Sequence, residues 1–175
     1  GMNYERLNRP EALHWPCPAV DHPGTPILHR EKFAHPDGMG VMFAVPYKPP
    51  AEVPDAEYPY VLTTGRCLWH WHTGTMTRRS ESLEAEEPTG WIEINPEDAK
   101  ELGVKDKEMV RAMTRRGEVN VLARVTKNIM KGVMFMPFHF AECAANTLTN
   151  NALDPIAKIP EYKACAVKVE KIKEA

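Results

Sequence analysis

The run Thr63-Thr64-Gly65-Arg66, followed by His70-Trp71-His72-Thr73-Gly74-Thr75-Met76-Thr77-Arg78-Arg79, gathers residue types suited to holding an anion. A strand feeding a glycine turn and then a hydroxyl-rich helix start leaves backbone N–H groups unpaired, and small side chains let a phosphate or diphosphate reach them. Arg66, Arg78 and Arg79 stand where charge-assisted bonds to that anion would be useful. By spacing alone the same run reads equally well as a turn followed by an exposed polar helix. His70 and His72, two residues apart, would share one face of a strand. No third residue has convincing metal-ligand spacing, so hydrogen bonding to a bound ligand is the best role for them, ahead of a structural pair and a metal pair. Trp69 and Trp71 either stack on a heterocycle or fill the core, which is the commoner use of tryptophan.

A second cluster comprises Pro137-Phe138-His139-Phe140, then Asn146-Thr147-Leu148-Thr149-Asn150, then Lys158 to Lys163 with Tyr162. Asparagine carries both donor and acceptor, which suits reading the edge of a purine or pterin. With Phe138, Phe140 and Lys163 it would complete a pocket for a flat anionic ligand. Each asparagine alone is an ordinary turn residue, so the weight rests on the group. Nucleophilic catalysis finds no support: there is no Gly-x-Ser-x-Gly, Walker or GxGxxG signature and no cysteine in a defined motif. No catalytic residue and no metal ligand is assigned. The adjacent acids Glu86-Glu87 and Glu97-Asp98 are expected to face solvent. Cys17, Cys67, Cys143 and Cys165 form no CxxC pair and read as scattered structural thiols.

The elements that must position these residues begin late in the chain. Residues 1–45 are rich in Pro and His, as in Trp15-Pro16-Cys17-Pro18 and His22-Pro23-Gly24-Thr25-Pro26. They read as an extended lead-in that must lie against something larger. Residues 46–59 read as a Pro-rich linker and 58–175 as the main domain. Strands are expected at 60–64, 91–94, 109–114, 118–125, 133–136 and 164–169, with a hairpin at Arg115-Arg116-Gly117. A polar helix is expected from Thr73 to about Ala85. A second starts at Asn95-Pro96-Glu97-Asp98, with Asn as cap and Pro at the first position, and stops at Gly103. About six short strands with short helices between them imply a mainly β domain, a closed or nearly closed β-barrel.

The 175 residues fit one domain of ordinary size; 43% are hydrophobic, 26% charged, and the net charge is −2. That balance argues against nucleic-acid or membrane-surface binding, and no apolar run is long enough for a membrane span. A reduced, cytoplasmic setting is the simpler expectation. Gly1 before Met2 reads as a residue left by tag cleavage.

The order Leu62 to Arg66, His70 to Arg79, Ile94 to Ala99, Pro137 to Phe140, Asn146-x-Leu148-Thr149 and Asp154 to Lys163 resembles the C-terminal domain of molybdenum or tungsten formate dehydrogenase catalytic (alpha) subunits, in the molybdopterin oxidoreductase superfamily. Trp15 to Pro18, Asp21 to Pro26 and Phe33 to Gly38 resemble the run leading into it, so the likeness covers nearly the whole chain. Nitrate reductases share the His-x-His-x-Gly-x-Met-Thr-Arg-Arg run, whereas Ala157 to Lys163 leans towards formate dehydrogenase. The resemblance implies a double-psi β-barrel of the aspartate decarboxylase-like kind, covering a bis-molybdopterin guanine dinucleotide cofactor. It assigns cofactor contacts to Thr64, Gly65, Arg66, His70, His72, Thr73, Phe138, His139, Asn146, Tyr162 and Lys163. It further implies that the metal ligand and the iron–sulfur cluster belong to other domains of the same subunit, that electron-transfer subunits are partners, and that this chain alone is inactive. An export signal, if the parent carries one, would lie upstream. The alternatives are the same domain of a nitrate reductase and a stand-alone barrel acting as a binding or assembly module. Two departures from the family pattern are Lys107, where a Gly is usual, and Met39-Gly40-Val41-Met42 after Pro36-Asp37-Gly38.

Overall fold

A computed structural model describes residues 1–172 of the chain. It divides into two compact units, Gly1–Tyr47 and the remainder from Lys48.

The second unit is a barrel of six strands: β1 (Tyr60–Gly65), β2 (Trp91–Ile94), β3 (Met109–Thr114), β4 (Gly117–Val125), β5 (Val133–Pro137) and β6 (Cys165–Lys171). Their order around the barrel is β1-β5-β2-β4-β3-β6, and β6 closes on β1. Closure leaves no strand edge to aggregate or to be capped. Two of the pairings are parallel, β1 with β5 and β2 with β4; the rest are antiparallel. This is the mixed closed barrel of the double-psi class. The expected strands all form, each within two residues of its sequence limits. The hairpin is tighter than expected: Thr114 pairs with Gly117, so the turn is Arg115-Arg116 alone.

Period-two alternation builds the interior. Leu62, Ile92, Ile94, Val110, Ala112, Val121, Ala123, Met134, Met136, Cys165, Val167 and Val169 are all buried in one cluster. Phe140 and Leu148 extend it beyond the strands. Burial pushes the Cys143 and Cys165 thiols up to about 11, so both are inert packing groups. All four cysteines are free.

Three short α-helices occur among the described residues: α1 (Tyr4–Leu7) in the first unit, and α2 (Glu81–Glu86) and α3 (Pro96–Leu102) in the second. In α3, Asn95 Oδ1 accepts from the Glu97 N–H, and Gly103 ends the helix at φ 67°. Asp98 corrects the expectation that the paired acids face solvent. It is buried, and its Oδ2 accepts from the Gly132 N–H at 2.7 Å. That bond fixes the turn entering β5, which is why a carboxylate is tolerated there. Glu87 is also half-buried and pairs with Arg124 at 2.8 Å, whereas Glu86 and Glu97 are exposed.

The expected helix from Thr73 to Ala85 is also corrected. Gly74 (φ 72°), inside the span, takes a left-handed conformation that a helix cannot include, and so does His72 (φ 49°) just before it. The segment turns tightly, makes a 3-10 turn at Thr77–Arg79, and becomes helical only at Glu81.

Pro50 to Pro59 lies along the barrel. Glu52 accepts from the Ala166 N–H at 2.7 Å and pairs with Arg116, while Asp55 pairs with Arg115. In the first unit, the guanidinium of Arg6 donates to the carbonyls of Gly1, Ala19 and His22. Cys17 is its buried hydrophobic side chain.

Candidate functional site

β1 and β5 run parallel and finish together, with Gly65 opposite Pro137. Two loops therefore leave the barrel side by side, one through Arg66 and the other through Phe138. The Phe138 N–H returns to the Gly65 carbonyl at 3.1 Å, which extends the pairing one step past the strands. A third segment joins them. The Thr64 hydroxyl donates to the Tyr162 carbonyl at 2.6 Å, and Lys163 Nζ donates to the Thr64 carbonyl. Gly65 is needed here because a Cβ would lie 2.6 Å from Cε2 of Phe135 and 3.8 Å from Lys163 Nζ. Thr64, Gly65, Phe138, Tyr162 and Lys163, called from far-apart stretches of sequence, thus converge at one end of the barrel.

Lys163 spends one of its three ammonium donors on Thr64 and is otherwise exposed, so it retains hydrogen-bonding capacity for an anion. The exposed Arg66 lies with its guanidinium 4.7 Å from the centroid of Trp71. Thr73 is exposed and hydrogen-bonded to Thr75 at 2.6 Å.

The pair His70 and His72 behaves differently from the sequence reading. Residues 70–72 form no strand, and the side chains do not share a face: His70 is buried and His72 exposed. Both His70 ring nitrogens are used within the chain. Nε2 donates to the Glu87 carbonyl at 2.8 Å, which leaves Nδ1 to accept from the Thr77 hydroxyl at 3.2 Å. His139, only 2% exposed, is likewise engaged on both sides. Its Nε2 accepts from the Cys67 N–H at 2.9 Å, and its Nδ1 donates to the His72 carbonyl. Burial depresses its pKa; the His72 carbonyl opposes this, and the nearby His70, Arg66 and His72 add to the depression. His70 and His139 therefore brace the loop from within.

Arg78 is a further correction. Its guanidinium binds Glu84 at 3.0 and 3.1 Å and Glu142 at 2.8 and 3.0 Å, above the Phe140 ring. Its hydrogen bonds to these carboxylates raise its pKa further, and it has no free edge for an anion. Arg79 is exposed. Asn146 sits exposed in a 3-10 turn, Ala145–Thr147, and among the described residues no side-chain hydrogen bond ties it to the Gly65 cluster.

Asn150, in the second sequence cluster but given no contact of its own, has a supporting role in the structure. It is buried, its Nδ2 donates to the Ala164 carbonyl at 2.7 Å, and its Oδ1 accepts from the Ala152 N–H at 2.9 Å. It thereby holds the segment that carries Tyr162 and Lys163. The local Asx turn at Asn150–Ala152 was the available sign.

The rim around this site exposes apolar side chains to an unusual degree. Leu68 is 85% exposed, Met76 70%, Trp71 52% and, on the loop before Tyr162, Ile156 91%.

Residues 60–166 match the family described as molydopterin dinucleotide binding domain. The chain is 59% identical over 172 residues to the F420-dependent formate dehydrogenase 1 subunit alpha of Methanococcus maripaludis, covering 98% of this chain and 25% of that protein. It is 52% identical, with the same coverage, to the F420-dependent formate dehydrogenase subunit alpha of Methanocaldococcus jannaschii. The assimilatory nitrate reductase catalytic subunit of Bacillus subtilis is 41% identical, over 97% of this chain and 24% of that protein. The chain thus spans about a quarter of the length of these relatives. Among solved structures, acetylene hydratase from Pelobacter acetylenicus shares the fold, with a TM-score of 0.59 at 19% identity over 66% of this chain and 19% of that one. No helix among the described residues is long and apolar enough to cross a membrane.

Proposed function

The chain belongs to the molydopterin dinucleotide binding domain family, and on that premise we propose that it is the cofactor-holding domain of a formate dehydrogenase-type oxidoreductase. The observation that carries this reading is the convergence at Gly65. There a strand end stripped of a side chain meets a lysine with unused donors and two loops with exposed polar and aromatic groups. A long, flat, anionic ligand needs that combination of charge, close backbone approach and stacking surface.

The residues fit a molybdopterin guanine dinucleotide. Arg66, Lys163 and the Gly65 turn, with Thr73 and His72, suit its phosphates, and Phe138 and Tyr162 suit its planar part. Asn146 suits a base edge, while Thr64, His70 and His139 hold these groups in place. In a bis-dinucleotide form carrying molybdenum or tungsten, that cofactor supplies the two-electron chemistry converting formate to carbon dioxide. The metal-ligating residue, the iron–sulfur cluster and the electron-transfer partners belong, in this reading, to sequence outside this chain. Formate is favoured over nitrate by relatedness, since the formate dehydrogenase subunits are 52–59% identical and the Bacillus subtilis nitrate reductase 41%.

Calorimetric titration of the 175-residue chain with GDP tests the grip directly. Binding with a Kd of about 1 mM is expected, because one domain supplies only part of the wall. Arg66→Ala and Lys163→Ala should each weaken it. Absence of heat up to about 10 mM GDP, or binding indifferent to both substitutions, would overturn the assignment.

A further inference from the structure

We propose that His139 is a positioning residue whose neutral ring ties both ends of the Cys67–His72 loop to the end of β5, and so sets the shape in which that loop meets a ligand. The inference rests on the reading of this end of the barrel as the cofactor-holding site, and assigns the loop's shape to one side chain.

The two bonds come from opposite sides of a single ring: Cys67 N–H to Nε2 at 2.9 Å, and Nδ1–H to the His72 carbonyl. Between these two residues lie Leu68, Trp69, His70 and Trp71; the backbone groups of Leu68 and Trp69 make no turn bond among the described residues and their side chains are exposed, while Trp71 is tied to Gly74 and Thr77 on the far side. The ring itself is fixed. Phe138 before it is bonded back to Gly65, and the buried Phe140 after it packs in the core. Phe138, Phe140 and His70 surround the ring with centroids 5.0, 6.1 and 5.9 Å away.

The arrangement works with one protonation state only. Nδ1 must carry the proton and Nε2 must be bare, because a second ring proton would confront the Cys67 N–H with another donor. The charged or titratable groups around the ring are His70, His72, Arg66 and, across Phe140, Arg78. Among the described residues no carboxylate touches the ring to stabilise an imidazolium; Glu84 lies beyond His70 and Glu142 beyond Arg78. The surroundings therefore hold His139 neutral, and a loop carrying Arg66 gains its fixed shape from an uncharged brace.

Amide hydrogen exchange at Cys67, measured by NMR on the full 175-residue chain without ligand, tests this. Relative to the Val110 amide in the barrel wall, Cys67 should exchange about tenfold faster in His139→Ala. His139→Asn, which keeps a donor and an acceptor, should restore part of the protection, and His139→Leu none of it. In the unaltered chain, nitrogen NMR should find the proton on Nδ1, and acidification should loosen Cys67 before the wall. Unchanged Cys67 protection in His139→Ala, or a ring protonated on Nε2 at neutral pH, would overturn the proposal. If the alanine variant does not fold, the tautomer and acidification measurements on the unaltered chain decide alone. A failure of GDP binding would remove the ligand assignment and leave this brace standing, so the two outcomes are separable.

Discussion

The barrel interior and the loop leaving it at Arg66 draw on the same stock of apolar side chains but use them in opposite ways. Leu62, Ile92, Ile94, Met134 and Met136 are sealed inside a wall in which every strand has two neighbours. A few residues further on, Leu68, Trp71 and Met76 stand in the open. The interior is complete without help, since its apolar area is already withdrawn from water. The rim is not, and its polar groups are organised from beneath by His70, Arg78 and His139. The contrast teaches that stability and the proposed ligand holding fall to different residues in this domain. The first unit resembles the rim: Tyr4, Trp15, Val20, Met42, Phe43 and Tyr47 are exposed, and backbone carbonyls gathered around Arg6 do much of the local ordering.

The largest effect should come from the wall. Leu62→Ala opens a cavity in a cluster that cannot collapse, and urea unfolding should show a loss of about 2–5 kcal/mol. If Leu62→Ala cost no more than a rim substitution, the division between the two regions would fail. Asp98→Ala should cost about 1–3 kcal/mol by the same measurement, because it removes a buried carboxylate and strands the partly buried Gly132 N–H. The rim should respond in binding instead: Lys163→Ala is expected to weaken GDP about tenfold with little change in melting temperature.

Acid should separate the two regions in a third way. His139 has a folded pKa below its ordinary 6.5, so the unfolded chain takes up its proton first as pH falls. Its contribution is fully present above about 6.5 and is lost as pH drops from there through the depressed folded value. Melting temperatures of the unaltered chain and His139→Leu, followed from pH 8 to about 5, should therefore converge towards acid. Smallest of all, Trp71→Ala should change stability by no more than about 0.5 kcal/mol, since the ring is half in water. A large loss there would show that the rim, too, is part of the core.

Several features of the fold could be read from local chemistry. β-prone and apolar runs, alternating at 91–94 and 164–169, marked the six strands, and Asn95-Pro96 with Gly103 marked both ends of α3, because capping and pleat geometry depend only on neighbouring residues. The helix expected from Thr73 failed for a reason the composition hid. Gly74, inside that span, is left-handed, and it follows a left-handed His72 whose carbonyl meets His139, 67 positions away. Asp98 misled for a similar reason, since its partner, the Gly132 N–H, arrives from a turn 34 residues later. Arg78 looked available in the sequence, but Glu142 lies 64 residues on.

By itself, then, the sequence determined the strands, the caps, the barrel class and the set of residue types gathered for an anionic, planar ligand. Those follow from periodicity, turn chemistry and composition, which are local. Only the tertiary structure decided which members of that set reach outward, as Lys163 and Arg66 do, and which are consumed inside, as His70, His139 and Arg78 are. A donor's availability depends on which acceptors the folded chain has already brought within about 3 Å of it, and closing the barrel is what brings Thr64, His139 and Lys163 to one end.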